Sequence, residues 1–188
     1  MCTMESFWEF LGVEDGWVLL GILVRMAAAI VVGAVIGLER ERYYKSRNQT
    51  KAAGIRTYSL VCFGSCLFGI ASIHGFQSHL LNAAGMVGDP GRVAAQVVAG
   101  VGFLGAGAII KDHGQIRGLT TAAGLWVAAA LGLVLSSKLF VIGLIAAILT
   151  YFMLDLPRIF PGLFRFAVQD EPEESEHTEQ RDEKTASH

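Results

Sequence analysis

From Trp17 to Leu38 the chain runs through apolar residues with a single charge, Arg25, among them. A stretch of that length reads as a helix crossing a bilayer, because the hydrocarbon core is about 30 Å thick and a helix rises about 1.5 Å per residue. Composition excludes a soluble alternative: 53% of residues are hydrophobic and 17% charged, too little polar surface to cover such a core. Four further apolar runs follow, Thr57 to Phe76, Val93 to Ile110, Thr120 to Leu135 and Leu139 to Leu154, the last two short for a typical bilayer. The expected fold is all-α, a polytopic membrane protein of about five transmembrane helices in a glycine-rich, close-packed bundle.

Lys and Arg in short loops stay on the cytoplasmic side of a membrane, whereas acids count for little. Twelve basic residues fall after the first span, in the loop after the third, or beyond the fifth, against two, Arg92 and Lys138, on the opposite side. The termini are thus expected to lie outside (N) and in the cytoplasm (C). Three segments follow: an acidic outer segment over 1–16, a membrane domain over 17–156, and a cytoplasmic interfacial segment with a disordered acidic tail over 157–188. The prolines of DLPRIFPGLFRF should break the helix there. The acidic N-terminus lacks the basic leader of a cleavable signal, so the first span should be retained.

A guanidinium inside a bilayer costs about 2.5 to 3.5 kcal/mol on insertion scales and needs polar company. Gln96, one turn below Arg92 in the third span, is expected to share a polar layer with Arg25, with Asp89 as the nearest carboxylate. Asp89-Pro90 reads as a helix start, with the carboxylate capping and proline in the first turn; Thr120-Thr121 plays the same part for the fourth span. The run GVGFLGAG carries Gly100, Gly102, Gly105 and Gly107. It satisfies G-x-G-x-x-G but lies within apolar helix, so no dinucleotide site follows. Close helix packing and local unwinding remain as readings, packing being preferred.

Glu39-Arg40-Glu41-Arg42 reads as a helical extension of the first span. Its basic residues suit anionic headgroups, and Glu39 is placed to pair with Arg56 or to bind a cation. Cys62 and Cys66 read as small packing residues. His74, His79 and His113 fall near loops on both sides, and Ser72 and His74 do not share a helix face, so no catalytic cluster is expected and the chain is read as not an enzyme.

The motifs IGLERE (36–41), AGIRT (53–57), DPGRVAAQVVAGVGFLGAG (89–107), Lys111 and RGLTTAAGLW (117–126) resemble those of the MgtC/SapB family of bacterial inner-membrane proteins, a likeness covering about 15–155. The resemblance implies an inner-membrane protein of adaptation to low magnesium and, in pathogens, of virulence through survival inside macrophages. A link to restraint of the ATP synthase has been proposed within the family. It carries the family's polar positions onto Arg25, Glu39, Arg40, Glu41, Arg56, Thr57, Asp89, Arg92, Gln96, Lys111, Arg117, Thr120 and Thr121. Longer members end in an ACT-like cytoplasmic domain, which is not expected in the short acidic tail of this chain.

Two functions are open. One is regulation of other membrane proteins by close association. The other is an oligomeric transporter or channel for a cation or small anion, with Arg25, Gln96, Asp89 and Arg92 along its path. Partners expected are membrane lipids, anionic headgroups on the cytoplasmic side, other membrane proteins and further copies of the chain, as a homodimer or higher homo-oligomer; no nucleic acid is implicated. No cofactor is expected beyond a possible Mg²⁺ site with Asp89 as candidate ligand, Glu39 and Glu41 being alternatives on the inner side.

Overall fold

A computed structural model describes residues 16–46, 53–75, 89, 91–112 and 115–159. The acidic N-terminal segment, Pro90, His79, His113 and the acidic tail lie outside the described residues. Helix α1 spans Gly16–Ser46, α2 Ile55–Ile70, α3 Gly91–Ala108, α4 Leu119–Ser136 and α5 Phe140–Ile159. Among the described residues these are five helices long and apolar enough to cross a membrane, as the pattern of apolar runs predicts. A π-helical turn, Ala71–Gly75, extends α2.

Helix α1 is 31 residues, about 46 Å, because Glu39 to Lys45 continue it as the expected extension. Between α3 and α4 the chain forms a hairpin absent from the sequence reading, strands Ile110–Asp112 (β1) and Gln115–Arg117 (β2), antiparallel with Lys111 opposite Ile116. Gly118 stands at the N-cap of α4, where its φ of 89° suits glycine, and no side chain caps the helix. The capping role expected of Thr120-Thr121 is therefore not played: both lie inside the first turn. Helix α5 likewise runs through Pro157 to Ile159 rather than stopping at the proline. So near a helix end, proline forfeits one hydrogen bond and its fixed φ remains helical.

The contacts order the helices without reference to any membrane. Position 33 of α1 meets Tyr58 and Ser59 of α2, and position 37 meets Ile55, so α1 and α2 are antiparallel. Gly124 meets Tyr58 and Gly69 meets Ser136, so α2 and α4 run parallel; Gly105 of α3 meets Ala122 of α4, which makes α3 antiparallel to both. Alternating direction is what consecutive membrane crossings require. The core lies where α1, α2 and α4 meet, around Ala29, Ile36, Tyr58, Cys62, Cys66, Ala128 and Leu131. Both cysteines are buried there, as packing residues.

The glycines that permit this approach are not those of α3. A Cβ at position 33 would stand 2.7 Å from the Tyr58 carbonyl oxygen, and one at position 132 would overlap the Cys62 carbonyl. In α3, which is continuous through GVGFLGAG, Gly105 touches Ala122, while positions 100, 102 and 107 look onto open space. Helix α3 lies along α4 on its Gly105 side; Gly100 lines the space between α3 and α2, Gly107 falls two turns on along the same side, and Gly102 looks the opposite way.

The chain divides into two compact units at Leu154 and Asp155. In the second, Arg158 and Asp155 form an exposed i,i+3 ion pair of 3.4 Å.

Candidate functional site

Arg25 is 2% exposed and spends its guanidinium inside the protein. Nε donates to the Gly21 carbonyl at 3.0 Å, one terminal nitrogen to the Ser136 carbonyl at 2.8 Å, and the other to His74 Nε2 at 3.2 Å. Because arginine only donates, His74 Nε2 must accept, which places the ring proton on Nδ1. Ser136 is the last residue of α4. The final carbonyls of a helix have no partner within it and carry the negative end of its dipole, so a cation there is favoured.

This corrects the expected polar layer. The partner of Arg25 is neither Gln96 nor Asp89 but the C-terminal end of α4 and the turn that closes α2. A helical side chain leans toward the N-terminus of its own helix, which carries Arg25 upward to His74 and Ser136. The Cys66 thiol, at 3.7 Å from the Arg25 carbonyl, joins the same level. His74, read from sequence as a loop-side residue, was missed; its place at the end of the second span, on the side where the first begins, was the available signal.

A second polar cluster occupies the opposite end of the bundle. Glu39 and Arg40 are buried and joined through Arg40 Nε and Glu39 Oε2 at 2.8 Å. Arg40 also donates to the Leu154 carbonyl at 3.4 Å and lies 5.0 Å from the centre of the Tyr43 ring. Glu39 therefore pairs with Arg40 and not with Arg56, although adjacent helix positions do not ordinarily face each other. Glu39 Oε1 is buried and makes no hydrogen bond among the described residues. Nearby, the Tyr44 hydroxyl and Thr121 Oγ1 are 2.7 Å apart, and the Tyr58 hydroxyl donates to the Thr121 carbonyl at 3.1 Å, tying α1, α2 and α4 together.

Arg56, Thr57, Arg92 and Gln96 meet at neither cluster. They line a cavity of about 980 Å³ between α2 and α3, whose walls are otherwise mostly apolar. No carboxylate stands among the described residues lining it. Asp89 is exposed and caps α3 as expected, accepting from the Gly91 N–H at 2.9 Å. Lys111 and Arg117 sit on the hairpin and Thr120 at the exposed start of α4, away from Thr121 and its tyrosines. Glu41 lies on α1 beyond the buried pair.

Magnesium wants several oxygen ligands in octahedral array. Among the described residues no group of three or more His, Cys, Asp or Glu side chains could hold a metal. Asp89 offers one oxygen beyond that used in the cap, with Arg92 a turn away; a single carboxylate would leave most of the octahedron to water.

The profile of the MgtC family matches residues 26–161. A putative magnesium transporter, YhiD, of Escherichia coli is 42% identical over 135 residues, covering 71% of this chain and 59% of that protein. Protein SrpB of Synechococcus elongatus is 38% identical over 144 residues, 72% of this chain and 74% of its own length. Protein MgtC of Salmonella typhimurium is 36% identical over 119 residues, 63% and 45% respectively. The chain thus spans little more than half of the first of these relatives and less than half of the third. No solved structure matches it significantly. With five apolar helices in place and the profile covering them from Met26 onward, this chain belongs to the MgtC family.

Proposed function

We propose that the chain serves adaptation to magnesium limitation in the bacterial inner membrane, N-terminus outside and C-terminus in the cytoplasm, by packing against other membrane proteins, further copies included, rather than by catalysing a reaction. The observation that carries this reading is Gly102 of α3, which does not line the space between α2 and α3 and whose Cβ position has open space in place of a neighbour. Glycine in a helix costs roughly 1 kcal/mol relative to alanine and here earns no contact inside the chain. Small residues are what close approach to a helix outside it would use.

Gly102→Leu is expected to leave the fold intact, since nothing within 4 Å would meet its Cβ, while abolishing lateral association and growth in low magnesium. Gly132→Leu, whose Cβ would overlap the Cys62 carbonyl, is expected to unfold the chain instead. Cross-linking in intact membranes together with complementation of growth checks both. Wild-type association by Gly102→Leu would remove the proposal. Orientation is tested by single cysteines at Lys45 and Lys138: an impermeant maleimide added to whole cells should label the second and spare the first.

Transport is the second reading, supported by the name of the Escherichia coli relative and by the cavity between α2 and α3. Its arginines and lack of carboxylates suit an anion better than Mg²⁺. Ion flux through liposomes containing the purified chain, and its loss in Arg92→Gln, would favour this reading over association.

A further inference from the structure

The cavity between α2 and α3 has a long apolar middle and a cation at each end. Arg56 stands beside Tyr58, which meets the first turn of α4, and Gly105 meets that same turn. Arg92 lies thirteen residues before Gly105 along α3, about 20 Å away toward the opposite end. Between them the walls are Leu60, Val61, Phe68, Val97, Val101 and Leu104. That length exceeds half of the roughly 30 Å hydrocarbon core, the reach of an acyl chain from one leaflet.

The two ends differ. At the start of α3 the Asp89 carboxylate already occupies the helix N-terminus, within a turn of Arg92, and would repel an anion. At the start of α2, Gly54 supplies no side-chain cap, and Arg56 and Thr57 both line the cavity. The Arg56 guanidinium makes no hydrogen bond or ion pair with a described residue. A planar, permanently charged guanidinium beside a hydroxyl matches phosphate oxygens. A helix of a second copy could cover the apolar length but would bring no phosphate to Arg56 and Thr57.

We propose that this groove binds one acyl chain of an anionic phospholipid, with the lipid phosphate held by Arg56 and Thr57. The site is independent of the association face, since Gly102 does not line it. Gly64 does line it and has open space around its Cβ position, so a leucine there is expected to project into the groove.

The full chain, purified in mild detergent and exhaustively exchanged, is to be examined by native mass spectrometry, then offered phosphatidylglycerol or zwitterionic phosphatidylcholine. The expected result is one retained phospholipid per chain with at least a tenfold preference for phosphatidylglycerol. Arg56→Gln should lose that preference, Arg92→Gln should keep it, and Gly64→Leu should lose retention with thermal unfolding unchanged. Should Gly64→Leu fail to fold, Gly100→Leu on the facing helix, also surrounded by open space, replaces it. The proposal is overturned if no lipid survives exchange, if the filled groove retains as much as the wild type, or if cysteines at Leu60 in two copies cross-link, which would make a second copy the occupant.

Discussion

Glu39→Ala should cost about 3 to 5 kcal/mol of stability, the range for removing one partner of a buried ion pair. Glu39 and Arg40 are 1% and 2% exposed, so the guanidinium left behind cannot reach water in its present position. Its remaining company is a carbonyl at 3.4 Å and the Tyr43 ring at 5.0 Å, neither of which carries a compensating charge. Denaturant unfolding in detergent measures the loss, and a cycle with Arg40→Met separates the pair from its surroundings. The double variant should recover much of the deficit, because a buried pair replaced by apolar side chains is often neutral. Glu39→Gln should be milder, since the amide oxygen still accepts from Arg40. An unchanged unfolding midpoint in Glu39→Ala would mean that the pair opens to solvent.

The family motif IGLERE concentrates its polar residues where α1 passes the start of α4, and this explains why so many charges can sit against a membrane helix. Glu39 and Arg40 neutralise each other inside the bundle, while Arg42 and Lys45 remain exposed. Thr121, singled out in RGLTTAAGLW as a cap, is instead the point at which Tyr44 and Tyr58 converge.

Helix number and approximate limits were legible because apolar length is a local property that bilayer thickness makes decisive. The extension of α1 was legible for the same reason, its charges continuing at helical spacing without a breaker. What resisted reading was pairing between helices. Gly33 and Gly132 carry the close contacts, yet nothing in one sequence distinguishes them from Gly102 or Gly107, whose Cβ positions meet nothing among the described residues. The hairpin at Ile110 to Arg117 was equally opaque: its two strands are three residues each, too short for alternation to register. Gln96 was assigned to Arg25 on depth alone. Depth locates a residue along a helix but not around it, and Gln96 faces the α2–α3 groove.

Arg25→Leu should destabilise the chain by about 1 to 3 kcal/mol, less than the loss at Glu39 and for a different reason. Here no acid is stranded. Three acceptors lose their donor at once, and the buried one is the terminal carbonyl of α4, while the Gly21 carbonyl and the exposed His74 ring are only partly shielded. The Gly21 carbonyl keeps its place in α1, so the damage should fall on the end of α4 and the turn at His74. Hydrogen exchange ought to show it there first, as faster exchange of amides near Leu135 and in Ala71–Gly75 with α3 unaffected. Arg25→Lys retains the charge but not the three-way fork, and should recover only part of the loss. Gln96→Leu provides the contrast, because an exposed side chain that belongs to neither buried cluster should leave stability within about 0.5 kcal/mol. If Arg25→Leu instead matched wild-type stability, the guanidinium would not be what closes this end of the bundle, and if Gln96→Leu proved as damaging as Arg25→Leu, the polar layer inferred from depth would be restored.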